Sequence, residues 1–439
     1  MKKLYPKQAQ AVDFFANRLQ GDVVVFPNTS KNTLDSSSVG TGKTVVACHL
    51  AKRLKAPCAV ICPKSVIPSW EREMEEVGVK PEFILNYEKI RTGNTPHLHK
   101  VGKKIMTWNL PKDTIVFVDE IHKAKGPYTQ NAQLIISLVG QGYRVHGMGA
   151  TACEDPTEMR AIGYMLGLHS LQKDDGGKRS WYGWMKAHGC YVDDWGQWRS
   201  LSRKSIASLH KDIYGVSAHK LTVTDFPDSF KENRVFVEPI QFADTKKIIK
   251  AYDDLGITPA IVEAFIEDRS SLSNNEHVIV NILRARQIAE SFKVPDLAEM
   301  AQELIGQGNS VVLFVNFKES VDALCAQLKC GRIDGGQSGN ARQKNIDDFQ
   351  ADETHAIVVN VAAGGTGVSL HDTHGNRPRV SLISPSFSAK DHLQTLGRIH
   401  RNGAKSDALQ KIMVAVDSIE ENVMKSIDKK IKNMEALHG

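Results

Sequence analysis

No apolar run in the sequence approaches the roughly 20 residues that a membrane span needs, which excludes an integral helical membrane protein. The first residues, Met1-Lys2-Lys3-Leu4-Tyr5-Pro6, are basic but lead into no apolar stretch, so no secretory signal is expected. Paired CxxC motifs are also missing. The seven cysteines are scattered, and neither Cys58/Cys62 nor Cys325/Cys330 has a matching second pair. That spacing argues against a structural zinc site and for reduced core thiols in a cytosolic protein. There is no low-complexity segment and no long charged tail. Charge is not extreme either: the net value is +6 and the pI about 8.8, which permits a polyanionic partner without demanding one.

What is present is an ordinary globular composition, 41% hydrophobic and 24% charged, over 439 residues. That length suits two or three domains. Short β-branched runs alternate with helical stretches twice along the chain. The first set includes 59–62, 114–118 and 143–147, and the second 310–315, 356–360, 380–384 and 412–416. Their apolar character is continuous rather than alternating, as in parallel strands covered on both faces. Between the sets the pattern is longer in period and more charged. The expected architecture is α/β: a first lobe over 1–154, a helical insertion over 155–300 and a second lobe over 301–439.

Three motifs carry chemistry. In the first, Ser37-Ser38-Val39-Gly40-Thr41-Gly42-Lys43-Thr44 precedes an apolar-periodic helix. Glycines let backbone N–H groups approach phosphates, and the following helix N-terminus favours negative charge. Lys43 would reach the β/γ-phosphates, and the Thr44 hydroxyl would ligate Mg²⁺. Ser37 stands where the general pattern has glycine. In the second motif, the strand 116–118 ends in Asp119-Glu120-Ile121-His122. Asp119 would hold Mg²⁺, and Glu120 would orient or deprotonate the attacking water. The third is Gln394-Thr395-Leu396-Gly397-Arg398-Ile399-His400-Arg401. On a helix Arg398 and Arg401 share a face, and such arginines stabilise charge on a transferring phosphoryl group.

In this order, with Gln8 before them and Gly149-Ala150-Thr151 and Ala363-Gly364-Gly365-Thr366-Gly367 between, the motifs resemble those of superfamily 2 helicases, most closely the Swi/Snf-type translocases. Leu4-Tyr5-Pro6-Lys7-Gln8 is similar to the family's adenine-reading entry motif. Cys62-Pro63-Lys64-Ser65-Val66-Ile67-Pro68-Ser69-Trp70 is similar to its DNA-contacting motif. Ser418-Ile419-Glu420-Glu421 and the Lys-rich helix after it are similar to its C-terminal brace. The resemblance implies two RecA-like lobes using ATP and Mg²⁺. Gln8, Gly40, Thr41, Gly42, Lys43, Thr44, Gly367 and Gln394 would bind nucleotide. Lys43, Asp119, Glu120, Arg398 and Arg401 would be catalytic. Pro63, Lys64, Trp70, Thr151, Gly364 and Gly365 would contact DNA. The implied activity is a cytoplasmic, monomeric DNA helicase or translocase acting on duplex, forked or junction DNA. An RNA helicase, the motor subunit of a restriction or repair complex, and a non-catalytic scaffold are the other readings.

Departures from the family pattern are Gly397 in place of an acidic residue, Ala152 closing the third motif, and His219-Lys220 where an arginine pair is usual. With no accessory reader domain in the sequence, they point to a compact bacterial or phage-like member. Four of the six tryptophans, Trp181, Trp184, Trp195 and Trp198, lie close together. They form either a wedge that stacks on bases at a fork or a small buried core.

Overall fold

The structure is a computed structural model. It describes all residues except 1–2, 22–29, 102–104, 151, 154–155, 174–178, 195, 197, 201, 227–228, 268–275, 365–367 and 439. The chain divides into two compact units, Met1–Asp225 with Asn433–Gly439, and Phe226–Lys432. Among the described residues, no helix is long and apolar enough to cross a membrane.

The first unit is built on β1 (Thr33–Asp35), β2 (Cys58–Cys62), β3 (Ile84–Asn86), β6 (Ile115–Asp119), β7 (Arg144–Met148) and β10 (Ala218–His219). Two antiparallel hairpins flank this sheet: β4 (Leu98–Val101) with β5 (Ile105–Trp108), and β8 (Cys190–Val192) with β9 (Trp198–Ser200). The sheet order is β10-β1-β7-β6-β2-β3, with every pair parallel. Parallel pairing requires crossover helices, which bury both sheet faces. The residues agree: all of β2 and the first four residues of β6 are buried. Because all strands run one way, the loops after β1, β2, β6 and β7 emerge at the same edge.

The second unit repeats the plan with β11 (Asn233–Ile240), β12 (Ser310–Val315), β13 (Gly331–Ile333), β14 (Ala356–Asn360), β15 (Arg379–Ile383) and β16 (Ala408–Ala415), in the order β11-β16-β15-β12-β14-β13, again all parallel. The expected α/β class and the paired parallel sheets are thus present. The C-terminal helix Ile419–His438 is anchored by Glu420, which is buried and paired with the fully buried Lys293. Glu420 also accepts from the Ala415 N–H at 2.8 Å.

The stretch 155–300, expected as a helical insertion, is shared between the units. Its first part adds Met159, Ile162, Trp181, Trp184, Leu209 and Ile213 to the first unit's core and β10 to its sheet. Its second part adds β11 to the other sheet. Neither strand announces itself as a buried apolar run. β10 has only two residues, and β11 is an edge strand with Val235, Phe236 and Val237 exposed and Pro239 inside it, a position that tolerates proline.

Candidate active site

The loop after β1 carries the first motif. Gly40 and Gly42 have φ of +86° and +90°, the left-handed region that glycine enters without steric cost. Gly42 is doubly constrained, since a Cβ there would lie 2.6 Å from the Gln8 side-chain nitrogen. Gln8, on the helix Pro6–Gln20, donates to the Thr41 carbonyl at 2.8 Å and accepts from the Tyr5 N–H at 3.1 Å. The predicted entry residue therefore touches the predicted phosphate loop itself. Lys43 opens the helix Lys43–Leu54, and its ammonium donates to the Ser37 and Ser38 carbonyls at 2.6 and 3.0 Å. The ammonium is thus folded back onto its own loop. Thr44 stands next to it in the first helical turn.

Ser37, the departure from the glycine pattern, has a structural task. Its hydroxyl accepts from the Leu221 N–H at 2.8 Å, and its own N–H donates to Asp35 Oδ1 at 2.9 Å. The Ser38 N–H donates to the Leu221 carbonyl at 2.8 Å. Ser36 shares a hydrogen bond of 2.7 Å with the Tyr214 hydroxyl. The phosphate loop is thus sewn to the segment around β10, more than 170 residues away in sequence. Tyr214 and Leu221 were not legible as site residues, because only the pairing of β10 with β1 brings them there.

The acidic motif follows β6. Asp119 is held from two sides: the Trp70 indole N–H donates to Oδ2 at 3.0 Å, and the Glu120 N–H donates to Oδ1 at 2.9 Å. The Tyr87 hydroxyl donates to the Asp119 carbonyl at 2.7 Å. Burial, and next the Glu120 charge, push the Asp119 carboxyl up to about 6, while the Trp70 hydrogen bond and the Lys43 charge pull it down. Asp119 therefore feels the phosphate-loop lysine. Glu120 has φ of +52°, a costly conformation for a residue with a side chain. His122 Nδ1 lies 3.1 Å from Glu120 Oε2. Among the described residues, no group of three or more His, Cys, Asp and Glu is arranged to hold a metal. A hydroxyl and a carboxylate at the mouth of a phosphate loop nonetheless suit Mg²⁺, which takes one or two protein oxygens and completes its shell with phosphates and water.

Trp70 corrects an expectation. It was assigned to DNA contact, yet it is 0% exposed, packs against Phe117 and spends its only polar atom on Asp119. Its neighbours divide similarly. Pro63 is buried and caps the turn Lys64–Val66, whereas Lys64 is exposed at the strand edge. We predict that Trp70→Phe, which keeps the ring but loses the N–H, shifts the acidic limb of the ATPase pH profile upward, because a hydrogen bond that lowers the Asp119 pKa is removed. An unchanged profile accompanied only by a lower Tm would reduce Trp70 to packing.

In the second unit the helix Ala389–Leu396 carries the buried Gln394, with Ser388 capping its start. The helix ends before the arginines, so the expected shared helical face is not what pairs them. They converge through a turn instead: Arg398 and Arg401 donate to the same Val368 carbonyl at 3.2 and 2.9 Å. Arg401 Nε also donates to the carbonyl of Gly397, the residue that replaces the usual acid, at 3.0 Å. Burial, and next the Arg398 charge, lower the Arg401 pKa to about 9. Two guanidiniums held this close favour an anionic ligand. Gly364 closes the short helix Val361–Gly364. Thr151, Gly365 and Gly367 lie outside the described residues.

Of the tryptophan cluster, Trp181 and Trp184 resolve as core. Trp181 and Trp184 are 2% and 4% exposed and stack at 5.7 Å, with His169 against both. Trp198 is partly buried against Tyr182, and Trp195 lies outside the described residues. The sealed Trp181 and Trp184 rings present no face to a base.

Comparison with known proteins agrees with this layout. Residues 1–153 match the type III restriction enzyme, res subunit family, and residues 295–403 match the helicase conserved C-terminal domain. A relative from Acanthamoeba polyphaga mimivirus, "Putative ATP-dependent RNA helicase L364", is 32% identical over 92% of this chain and 79% of its own length. The chromatin remodeling factor Mit1 of Schizosaccharomyces pombe is 29% identical over 39% of this chain, and the same yeast's ATP-dependent helicase Fft3 is 32% identical over 34%. The chain spans only 12% and 16% of those two proteins. The solved structure of S. cerevisiae Dbp5 bound to RNA and ADP BeF3 superposes with a TM-score of 0.52 at 13% identity, covering 98% of this chain and 92% of that one, which is a likeness of fold. Two parallel α/β units bearing helicase domains define a nucleic-acid-dependent ATPase. The chain belongs to the superfamily 2 helicases, with Swi/Snf-type proteins among its relatives.

Proposed function

We propose that the protein is an ATP-driven DNA motor that translocates on duplex or remodels forked or branched DNA. One observation carries the coupling: the segment Pro63–Trp70 runs from an exposed lysine to an indole hydrogen-bonded to Asp119. A phosphate contact at Lys64 would be felt two helical turns later at the metal-binding carboxylate. Nucleic acid would thereby tune hydrolysis.

In this reading Lys43 and the loop amides hold the ATP phosphates, with Gln8 fixing the loop from behind. Thr44 and Asp119 would hold Mg²⁺, which supplies charge neutralisation at the phosphates. Glu120, oriented by its left-handed backbone and faced by His122, positions the attacking water. Arg398 and Arg401 stabilise the charge that develops on the transferred group, with Gln394 and Gly367 nearby in sequence as nucleotide contacts. Lys64, Pro63, Thr151, Gly364 and Gly365 supply the DNA track, mainly through phosphates. Swi/Snf-type relatives support a DNA track. The name of the mimivirus relative supports the second reading, an RNA helicase.

The test is the steady-state ATPase rate without nucleic acid and with single-stranded DNA, duplex DNA, forked DNA, a four-way junction and RNA. Stimulation by duplex, fork or junction DNA is expected. Stimulation by RNA alone would overturn the DNA assignment.

A further inference from the structure

Five of the seven cysteines, Cys48, Cys58, Cys62, Cys153 and Cys190, are buried, whereas Cys325 and Cys330 are half-exposed. These two sit at the end of the helix Lys318–Leu328. The helix stops at Lys329, whose φ of +49° and ψ of +46° are left-handed. A left-handed residue just past a helix folds the next residue back over the last turn, so side chains at these two positions commonly meet. Here those positions are Cys330 and Cys325. The Cys325 sulfur points at this reversal, 3.8 Å from the carbonyl of Gly331, the residue that follows Cys330.

We propose that Cys325 and Cys330 form a reversible dithiol–disulfide site, oxidised by hydrogen peroxide. Cys325 is the attacking thiol. The neighbouring Cys330 thiol lowers the Cys325 pKa, against the opposing effect of burial, and the Arg332 guanidinium adds a smaller effect in the same direction. Arg332 is held beside them by Asp322 and Asp334. The Cys325 thiolate attacks the peroxide oxygen and breaks the O–O bond. This gives a sulfenic acid and releases the other oxygen as water after it takes a proton. The Cys330 sulfur then attacks the Cys325 sulfur and expels a second water. The pair loses two electrons and two protons, and the peroxide is reduced to two waters. The sulfurs need only close to about 2.05 Å, a small move for side chains that the reversal at Lys329 folds towards one another. The product would pin the helix end to β13, the edge strand of the second sheet.

Peptide mapping of the full native chain tests this. Trypsin cuts after Lys329, between the two cysteines, so a disulfide leaves peptides 319–329 and 330–332 joined. After mild hydrogen peroxide treatment, alkylation and digestion without reductant, the joined pair is expected as the main cysteine product, released by dithiothreitol. The five buried cysteines are expected to stay reduced and to be alkylated only after unfolding. Cys330→Ser is expected to convert the product to sulfenic or sulfinic acid on Cys325. Separate, singly alkylated peptides after peroxide treatment would overturn the proposal. Oxidation spread evenly over all the cysteines would overturn it too.

Discussion

Lys43→Ala is expected to lower the maximal ATPase rate by roughly 100- to 1,000-fold, the range seen when one preorganised donor to a developing anion is removed. Nucleic-acid affinity in the absence of nucleotide should change little. The reason lies in what the ammonium touches. Its described partners are the Ser37 and Ser38 carbonyls of its own loop, and the candidate track residues belong to other loops. The loop keeps its shape without Lys43, through the Ser37–Asp35, Ser37–Leu221 and Gln8–Thr41 hydrogen bonds. The variant should therefore fold with nearly the parent Tm. Steady-state ATPase and fluorescence anisotropy with labelled DNA read the two effects separately. Undiminished turnover would remove this loop from the active site.

Asp119→Asn is expected to do two opposite things. Turnover should fall about 100-fold or more, because several kcal/mol of charge stabilisation at the phosphates is lost with the carboxylate. The fold should become more stable at neutral pH in metal-free buffer. Burial and the neighbouring Glu120 charge raise the folded-state pKa of Asp119 to about 6, from an unfolded value near 3.8. Between these pH values the folded chain holds a proton that the unfolded chain has released, so stability falls as pH rises through the window. Above it the buried carboxylate costs on the order of 3 kcal/mol, which the neutral amide avoids. The amide oxygen still accepts from Trp70, while the Glu120 N–H loses its acceptor, which offsets part of this gain. Thermal unfolding from pH 3.5 to 8 should show the variant gaining on the parent up to about pH 6 and holding that lead. Equal Tm values across this range would mean that Asp119 is not a strained, function-serving charge.

Both outcomes rest on residues that the sequence exposes plainly. Phosphate loops and strand-terminal acid pairs are local, since their geometry comes from glycine freedom, a helix start and the end of a buried strand. The two parallel sheets were legible for a similar reason. Strands such as β12 and β14 are buried along nearly their whole length, and continuous apolar runs record that burial. Where burial is partial the record fails, as at β11, whose exposed Val235–Val237 and polar neighbours carry no parallel-sheet pattern. The arginine pair was found for a reason the structure changed. Spacing suggested a helix face, and a turn after Leu396 achieves the convergence on Val368 instead.

The sequence by itself determined the chemistry available: a lysine and a threonine after a glycine loop, two adjacent carboxylates, and two arginines near a glycine-rich turn. Only the tertiary structure decided which of the aromatic and polar residues around them serve that chemistry. Trp70 reads as a surface contact until β2 and β6 pair in parallel and set its indole against Asp119. Trp181 and Trp184 read equally as wedge or core until the first unit's core closes over them. Leu221 and Tyr214 have no local signature, and they reach the phosphate loop because β10 docks on β1. Local motifs depend on backbone geometry over a few residues. Burial and hydrogen-bond partners depend on segments distant in the chain, and one-dimensional spacing does not record them.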